Sequence, residues 1–114
     1  MPLAAHCDLP VFGALRREGV RVLGGADHQP RLNIGLLNLM PDAVLGATER
    51  QWMRLCAGFD GAVSYVYPCS GDTRDRSVVA QTHIARHYDT LDTIKTRQLD
   101  LLIVTGANPH SPDI

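Results

Sequence analysis

Apolar and polar positions in this chain fall into two textures, short uninterrupted apolar runs and longer amphipathic stretches. Leu32 to Leu39 (LNIGLLNL) is a run stopped by Met40 and Pro41, and Leu99 to Val104 (LDLLIV) is another, stopped by Thr105, Gly106 and Ala107. Runs this short and this rich in Leu, Ile and Val suit strands buried on both faces of a parallel sheet. Ala62 to Tyr67 (AVSYVY) is rich in β-formers and ends at Pro68, which predicts a strand between the other two. Helical spacing fills the gaps. Thr48, Trp52, Leu55 and Phe59 form a stripe flanked by Met53 and Cys56, with Thr48 and Gln51 spaced as a capping box and Gly58 as a stop. A second helix is expected over about Val79 to Ile94, with Ile84, Tyr88, Leu91 and Ile94 or Lys95 facing inward.

The resulting order, β-α-β-α-β, predicts an α/β fold: half of a doubly wound parallel sheet with strand order 2-1-3. The first and third strands then lie side by side, and their carboxyl ends face one crevice, where open α/β sheets bind ligands. Residues 1–31 read as an N-terminal arm, with a short helix begun by Asp8 and Pro10 and an extended Val20 to Leu23, ahead of a domain over 32–114. Ser70 to Ser77 reads as a polar loop. A three-stranded sheet leaves an edge open, so self-association into a homo-oligomer, a dimer, is expected.

Charge and cysteine content remove whole classes of function. Eleven basic residues face twelve acidic ones, and ten of the eleven are arginines scattered along the chain, with Lys95 the exception. No basic stripe exists for nucleic acid. No apolar stretch reaches the ~18 residues of a membrane span, and the first residues lack the pattern of a signal peptide, so a cytoplasmic protein without membrane contact is expected. Cys7, Cys56 and Cys69 are widely spaced and form neither a disulfide framework nor a zinc knuckle.

Candidate chemistry gathers at the strand ends. In Thr105-Gly106-Ala107-Asn108 a small-residue turn lets backbone N–H groups approach a bound oxygen, and the threonine hydroxyl adds a donor; equally, Gly106 permits a tight exit turn. Asn38 and Met40 end the first strand, where Asn38 either binds substrate or holds the turn by bonding to the backbone. His83 and His87 have the spacing of two metal ligands, but Ile84 stands where a zincin has Glu, so they read as solvated helix histidines with no metal. Cys56 and Cys69 read as structural thiols and Trp52 as a core anchor. No catalytic triad is assembled by these residues.

Taken together, LNIGLLNLMP, GATERQWMRLC, HIARHYDTLDTI and LDLLIVTGANP resemble the homoserine O-acyltransferases of methionine biosynthesis, of the homoserine O-succinyltransferase type. The resemblance runs from about Leu32 to Asn108, with NLMP at Asn38 to Pro41 and VTGA at Val104 to Ala107 as its most specific parts. It implies a class-I glutamine-amidotransferase-like fold and a ping-pong transfer in which a cysteine takes the acyl group from succinyl-CoA or acetyl-CoA and passes it to the homoserine hydroxyl. Acyl-CoA is then a co-substrate, and no bound cofactor is implied. Thr105, Gly106, Ala107 and Asn108, with Asn38 and Met40, would be substrate-binding pocket wall. The family's nucleophilic cysteine, general-base histidine and triad glutamate lie beyond the matching region, and none of Cys7, Cys56 and Cys69 matches the nucleophile's motif. The 114-residue chain is therefore expected to be an N-terminal portion, inactive alone. Two departures stand out: Asp42 and Ala43 follow the LMP, where basic residues are common, and Asn108 follows TGA, where proline is common. A non-catalytic binding module of the same fold is the rival reading, and an amidotransferase-like hydrolase a third.

Overall fold

The apolar runs pair as parallel strands. In the computed structural model, which describes residues 2–24, 27–59, 61–71 and 73–106, β3 (Arg31–Leu37) pairs with β4 (Val63–Cys69) from Arg31 opposite Val63 to Leu37 opposite Cys69. On its other side β3 pairs with β5 (Leu101–Val104), Ile34 opposite Leu101 through Leu37 opposite Val104. These three strands stand in the expected order 2-1-3. The sheet continues beyond β4 through β1 (Leu3–Ala4) to β2 (Val22–Leu23), giving five parallel strands in the order β2-β1-β4-β3-β5. The segment read as an arm thus supplies two strands to the sheet, and between them α1 (Val11–Arg17), whose Val11, Phe12 and Leu15 are buried. Alpha1 closes with Gly19 at φ 87°, where the Gly19 N–H donates to Arg16 O (3.0 Å) and the Val20 N–H to Leu15 O (2.9 Å). That pair of bonds is a Schellman closure, and glycine takes the left-handed position without a Cβ penalty.

Several expectations need correction. The first long helix, α2, spans Asp42–Cys56 and starts after Pro41, so Thr48 and Gln51 are interior and form no capping box. Its packed face carries Leu45, Thr48, Glu49, Met53 and Cys56, leaving Trp52 half-buried, Leu55 at the rim and 55% exposed, and Phe59 beyond the helix end. The second helix is two, α3 (Val78–His87) and α4 (Leu91–Thr96). Tyr88 leaves helical geometry, the Asp89 N–H turns to Pro68 O (2.8 Å), and the Thr90 side chain caps α4 by accepting from the Thr93 N–H (3.1 Å). A local cap thereby outcompetes continuation of the helix. Leu91, expected inside, is 44% exposed.

The strand expected to stop before Pro68 runs through it to Cys69. Pro68 O faces away from β3, toward Asp89, so the nitrogen lacking a hydrogen faces the same way. Beta1 has ended by then, having paired with β4 at Ser64 alone, and no ladder bond is lost.

Side chains alternate between two layers along β3 and β4. Ile34, Leu36 and Val66 pack with α1, α2 and α3, around the fully buried Met53 and Leu15. On the other face Val63, Tyr65, Tyr67 and Cys69 pack with Ile94 of α4, Leu37 and Leu99. Two arginines finish this thinner layer, with the Arg31 guanidinium 3.7 Å from the Tyr65 ring centroid and that of Arg97 3.9 Å from Tyr67. Beta5 departs from the expectation of a strand buried on both faces. As the outermost strand it leaves Leu101, Leu102 and Val104 41–55% exposed.

Candidate functional site

The carboxyl ends of β3 and β5 emerge side by side and are clipped together. The Thr105 N–H donates to Leu37 O (3.1 Å), and the Thr105 hydroxyl accepts from the Leu39 N–H (2.8 Å) while donating to Gly106 O (3.2 Å). Thr105 is buried, and its hydroxyl is committed to joining the two loops. Gly106 is exposed, with open space where a Cβ would stand. Asn38, Met40, Thr105 and Gly106 therefore share one rim, whereas Ala107 and Asn108 lie outside the described residues.

Asn38 is fully buried and holds the turn. Its backbone N–H donates to Cys69 O (2.8 Å), its Nδ2 donates to Leu45 O (3.1 Å) and to the Tyr88 hydroxyl (3.2 Å), and its Oδ1 accepts from the Met40 N–H (3.3 Å). Behind it lies a residue that the sequence pattern passed over. Glu49 is 2% exposed, and its Oε2 accepts from both the Tyr88 hydroxyl and His83 Nε2 (2.7 Å). Burial, then the Glu49 carboxylate, pushes the Tyr88 phenol far above its ordinary range. The signal was present in the spacing: Leu45, Glu49, Met53 and Cys56 lie on one helical face, and a carboxylate in that company needs partners.

Arg76 braces the same turn from outside. Its Nη1 donates to Met40 O (2.9 Å) and to Asp42 Oδ1 (2.8 Å), while the other Asp42 oxygen accepts from the Ser77 N–H (2.7 Å). The Ser77 hydrogen bond, with Arg76 beside it, holds the Asp42 carboxyl below its usual range. The polar 70–77 loop is in this way fastened to the rim, and Asp42 has a role that a basic residue could not fill.

The two histidines are not simply solvated: His83 bonds Glu49, and His87 Nδ1 meets Asp8 Oδ1 at 3.0 Å. Among the described residues no group of three or more His, Cys, Asp or Glu side chains could hold a metal. Cys56 and Cys69 are buried, and burial pushes each thiol up to about 11, so neither is a thiolate at neutral pH. Beside the rim, at the end of β4, a cleft of about 350 Å³ is lined by Ser70, Gly71, Thr73, Tyr88, Asp89 and Leu91, among others. What the arrangement offers chemically is a hydrogen-bonded wall with backbone access at Gly106 and a partly polar, mainly apolar cleft alongside.

A parallel sheet with its rim of clipped loops at the strands' carboxyl ends is the ligand-binding design of open α/β proteins. Among the described residues no helix is long and apolar enough to cross a membrane. The chain belongs to the homoserine O-succinyltransferase family, whose profile matches residues 2–114. It is 48% identical to a homoserine O-succinyltransferase of Thioalkalivibrio nitratireducens and 46% identical to one of Allochromatium vinosum, each alignment covering all of this chain and 33% of the relative. A relative in Thiobacillus denitrificans is 47% identical over 95% of this chain and 32% of its own length. The chain spans about a third of the length of the curated relatives it matches.

Proposed function

We propose that this chain forms part of an acyl-CoA-dependent homoserine O-acyltransferase of methionine biosynthesis, acting in the cytoplasm as a homo-oligomer with a class-I amidotransferase-like fold. The observation that supports this is the family match across residues 2–114, which includes both loops of the rim. In this reading a cysteine thiolate from the portion of the relatives that this chain does not span attacks the thioester carbonyl of succinyl-CoA or acetyl-CoA. CoA leaves as its thiol, taking a proton from the histidinium paired with that thiolate, and the homoserine hydroxyl then displaces the enzyme cysteine as thiolate, its proton returning to the histidine. The residues of this chain contribute to the acyl pocket: Thr105 and Asn38 fix the two loops, Met40 and Gly106 lie on those loops, and Ala107 and Asn108 are assigned to the same pocket from the sequence resemblance.

The test is an intact-mass measurement on the protein purified from its own host, before and after exposure to each acyl-CoA, followed by an assay for O-acylhomoserine. An adduct of acyl mass discharged by homoserine supports the reading. A protein that binds acyl-CoA or homoserine without forming an adduct is a binding module, and the acyltransferase reading fails.

A further inference from the structure

Glu49 stands in a place where a carboxylate is costly. It sits on the packed face of α2 between Leu45 and Met53, and an apolar side chain there would need no partners. Its two bonds do more than satisfy it. Because Glu49 Oε2 can only accept from Tyr88, the phenolic hydrogen points at Glu49 and the phenolic lone pairs face Asn38. A lone pair facing Asn38 requires its NH2 side, which turns Oδ1 the other way, onto the Met40 N–H. The Glu49 carboxylate thus sets the direction of the bonds through Tyr88, and the Leu45 carbonyl, accepting from the same Asn38 Nδ2, acts in the same sense. Without the carboxylate the Tyr88 hydroxyl loses its acceptor on α2 and competes for Asn38 Oδ1, which the Nδ2 bond to Leu45 O alone would then hold on Met40.

We propose that Glu49 is a positioning residue of the acyl pocket, acting through Tyr88 and Asn38 to hold the Asn38–Met40 turn. The inference rests on the acyltransferase reading for its catalytic consequence, and on the hydrogen bonds above for its geometry. Position matters because a loop displaced by a fraction of an ångström misaligns a bound acyl group. The carboxylate's charge is not what the role requires: the side-chain oxygen of glutamine can accept the same two bonds.

The experiment compares Glu49→Gln, Glu49→Met and Tyr88→Phe in the protein as its host makes it, reading hydrogen exchange at the Met40 amide and steady-state acyl transfer to homoserine. Glu49→Met and Tyr88→Phe are expected to speed Met40 exchange about tenfold and to lower kcat about tenfold with little change in KM. Glu49→Gln is expected to stay close to the unaltered protein in both. If Glu49→Met fails to fold, Tyr88→Phe carries the comparison. Met40 exchange unchanged in the breaking variants overturns the proposal. So does kcat unchanged despite faster exchange, and so does Glu49→Gln behaving like Glu49→Met. Absence of acyl transfer in the unaltered protein overturns the functional reading instead, and Met40 exchange still judges the hydrogen-bond chain.

Discussion

Replacing Asn38 with leucine separates a residue that holds the turn from one that faces a ligand. The side chains are of similar size and the site is fully buried, so the change tests hydrogen bonds more than volume. Three bonds disappear: those to Leu45 O, to the Tyr88 hydroxyl and from the Met40 N–H. Two of the partners keep another bond, since Leu45 O lies within α2 and the Tyr88 hydroxyl still reaches Glu49. Losing those two bonds costs about 0.5–1.5 kcal/mol each, and a partly buried Met40 N–H without its acceptor costs about 1–3 kcal/mol. Extra apolar burial by leucine offsets some of this, which leaves a destabilisation of about 2–4 kcal/mol. For a domain of this size that lowers Tm by roughly 10 °C. Urea and thermal unfolding followed by circular dichroism measure it directly. A loss below about 0.5 kcal/mol, the range of an unconstrained surface position, would show that Asn38 does not hold the turn and that the network is misassigned.

The same glycine substitution should act in opposite directions at two positions. Gly19→Ala forces a side chain into the left-handed closure of α1 and should destabilise by about 1 kcal/mol. Gly46→Ala, in the interior of α2 with open space around its Cβ position, should stabilise by about 0.5–1 kcal/mol; equal effects in parallel urea melts would contradict the assigned backbone. His6 donates a ring N–H to Val66 O (2.6 Å) beside the Tyr67 ring, and burial holds its pKa below the usual 6.5. The unfolded chain therefore takes up the proton first, so this group's contribution is intact above 6.5 and declines as pH falls from there toward the folded value. Against the unaltered protein, His6→Gln should show a shallower fall in unfolding midpoint between neutral and mildly acidic pH, and identical slopes would rule the histidine out. The Asp42 carboxyl, held low by Ser77 and Arg76, should lose its stabilising contribution only below its unfolded value of 3.8; Asp42→Asn should show that loss already at neutral pH in the same melts.

What the sequence by itself determined is the part of the structure encoded locally. Apolar runs such as Leu32 to Leu39 and Leu99 to Val104 form strands, and right-handed crossovers leave β3 between β4 and β5, although the burial of β5 was not encoded locally. Strand ends marked by Asn38 and Thr105 follow from the same patterns, which is why the rim could be located from residues alone. The tertiary structure decided whatever depends on a partner far along the chain. Beta1 is two residues long, too short to announce itself, and exists because β4 offers an open edge; the extended Val20 to Leu23 becomes a strand only by pairing with β1. The phase of α2 was set by which face fits against β3 and β4, so a stripe counted from Trp52 and Leu55 pointed slightly the wrong way. Glu49, Tyr88 and Asn38 belong together only because three elements meet, and spacing along one helix says that Glu49 needs a partner without saying that the partner lies 39 positions away. Local rules act over a turn or a strand; the direction of a buried hydrogen-bond chain is set by whichever groups the fold brings face to face.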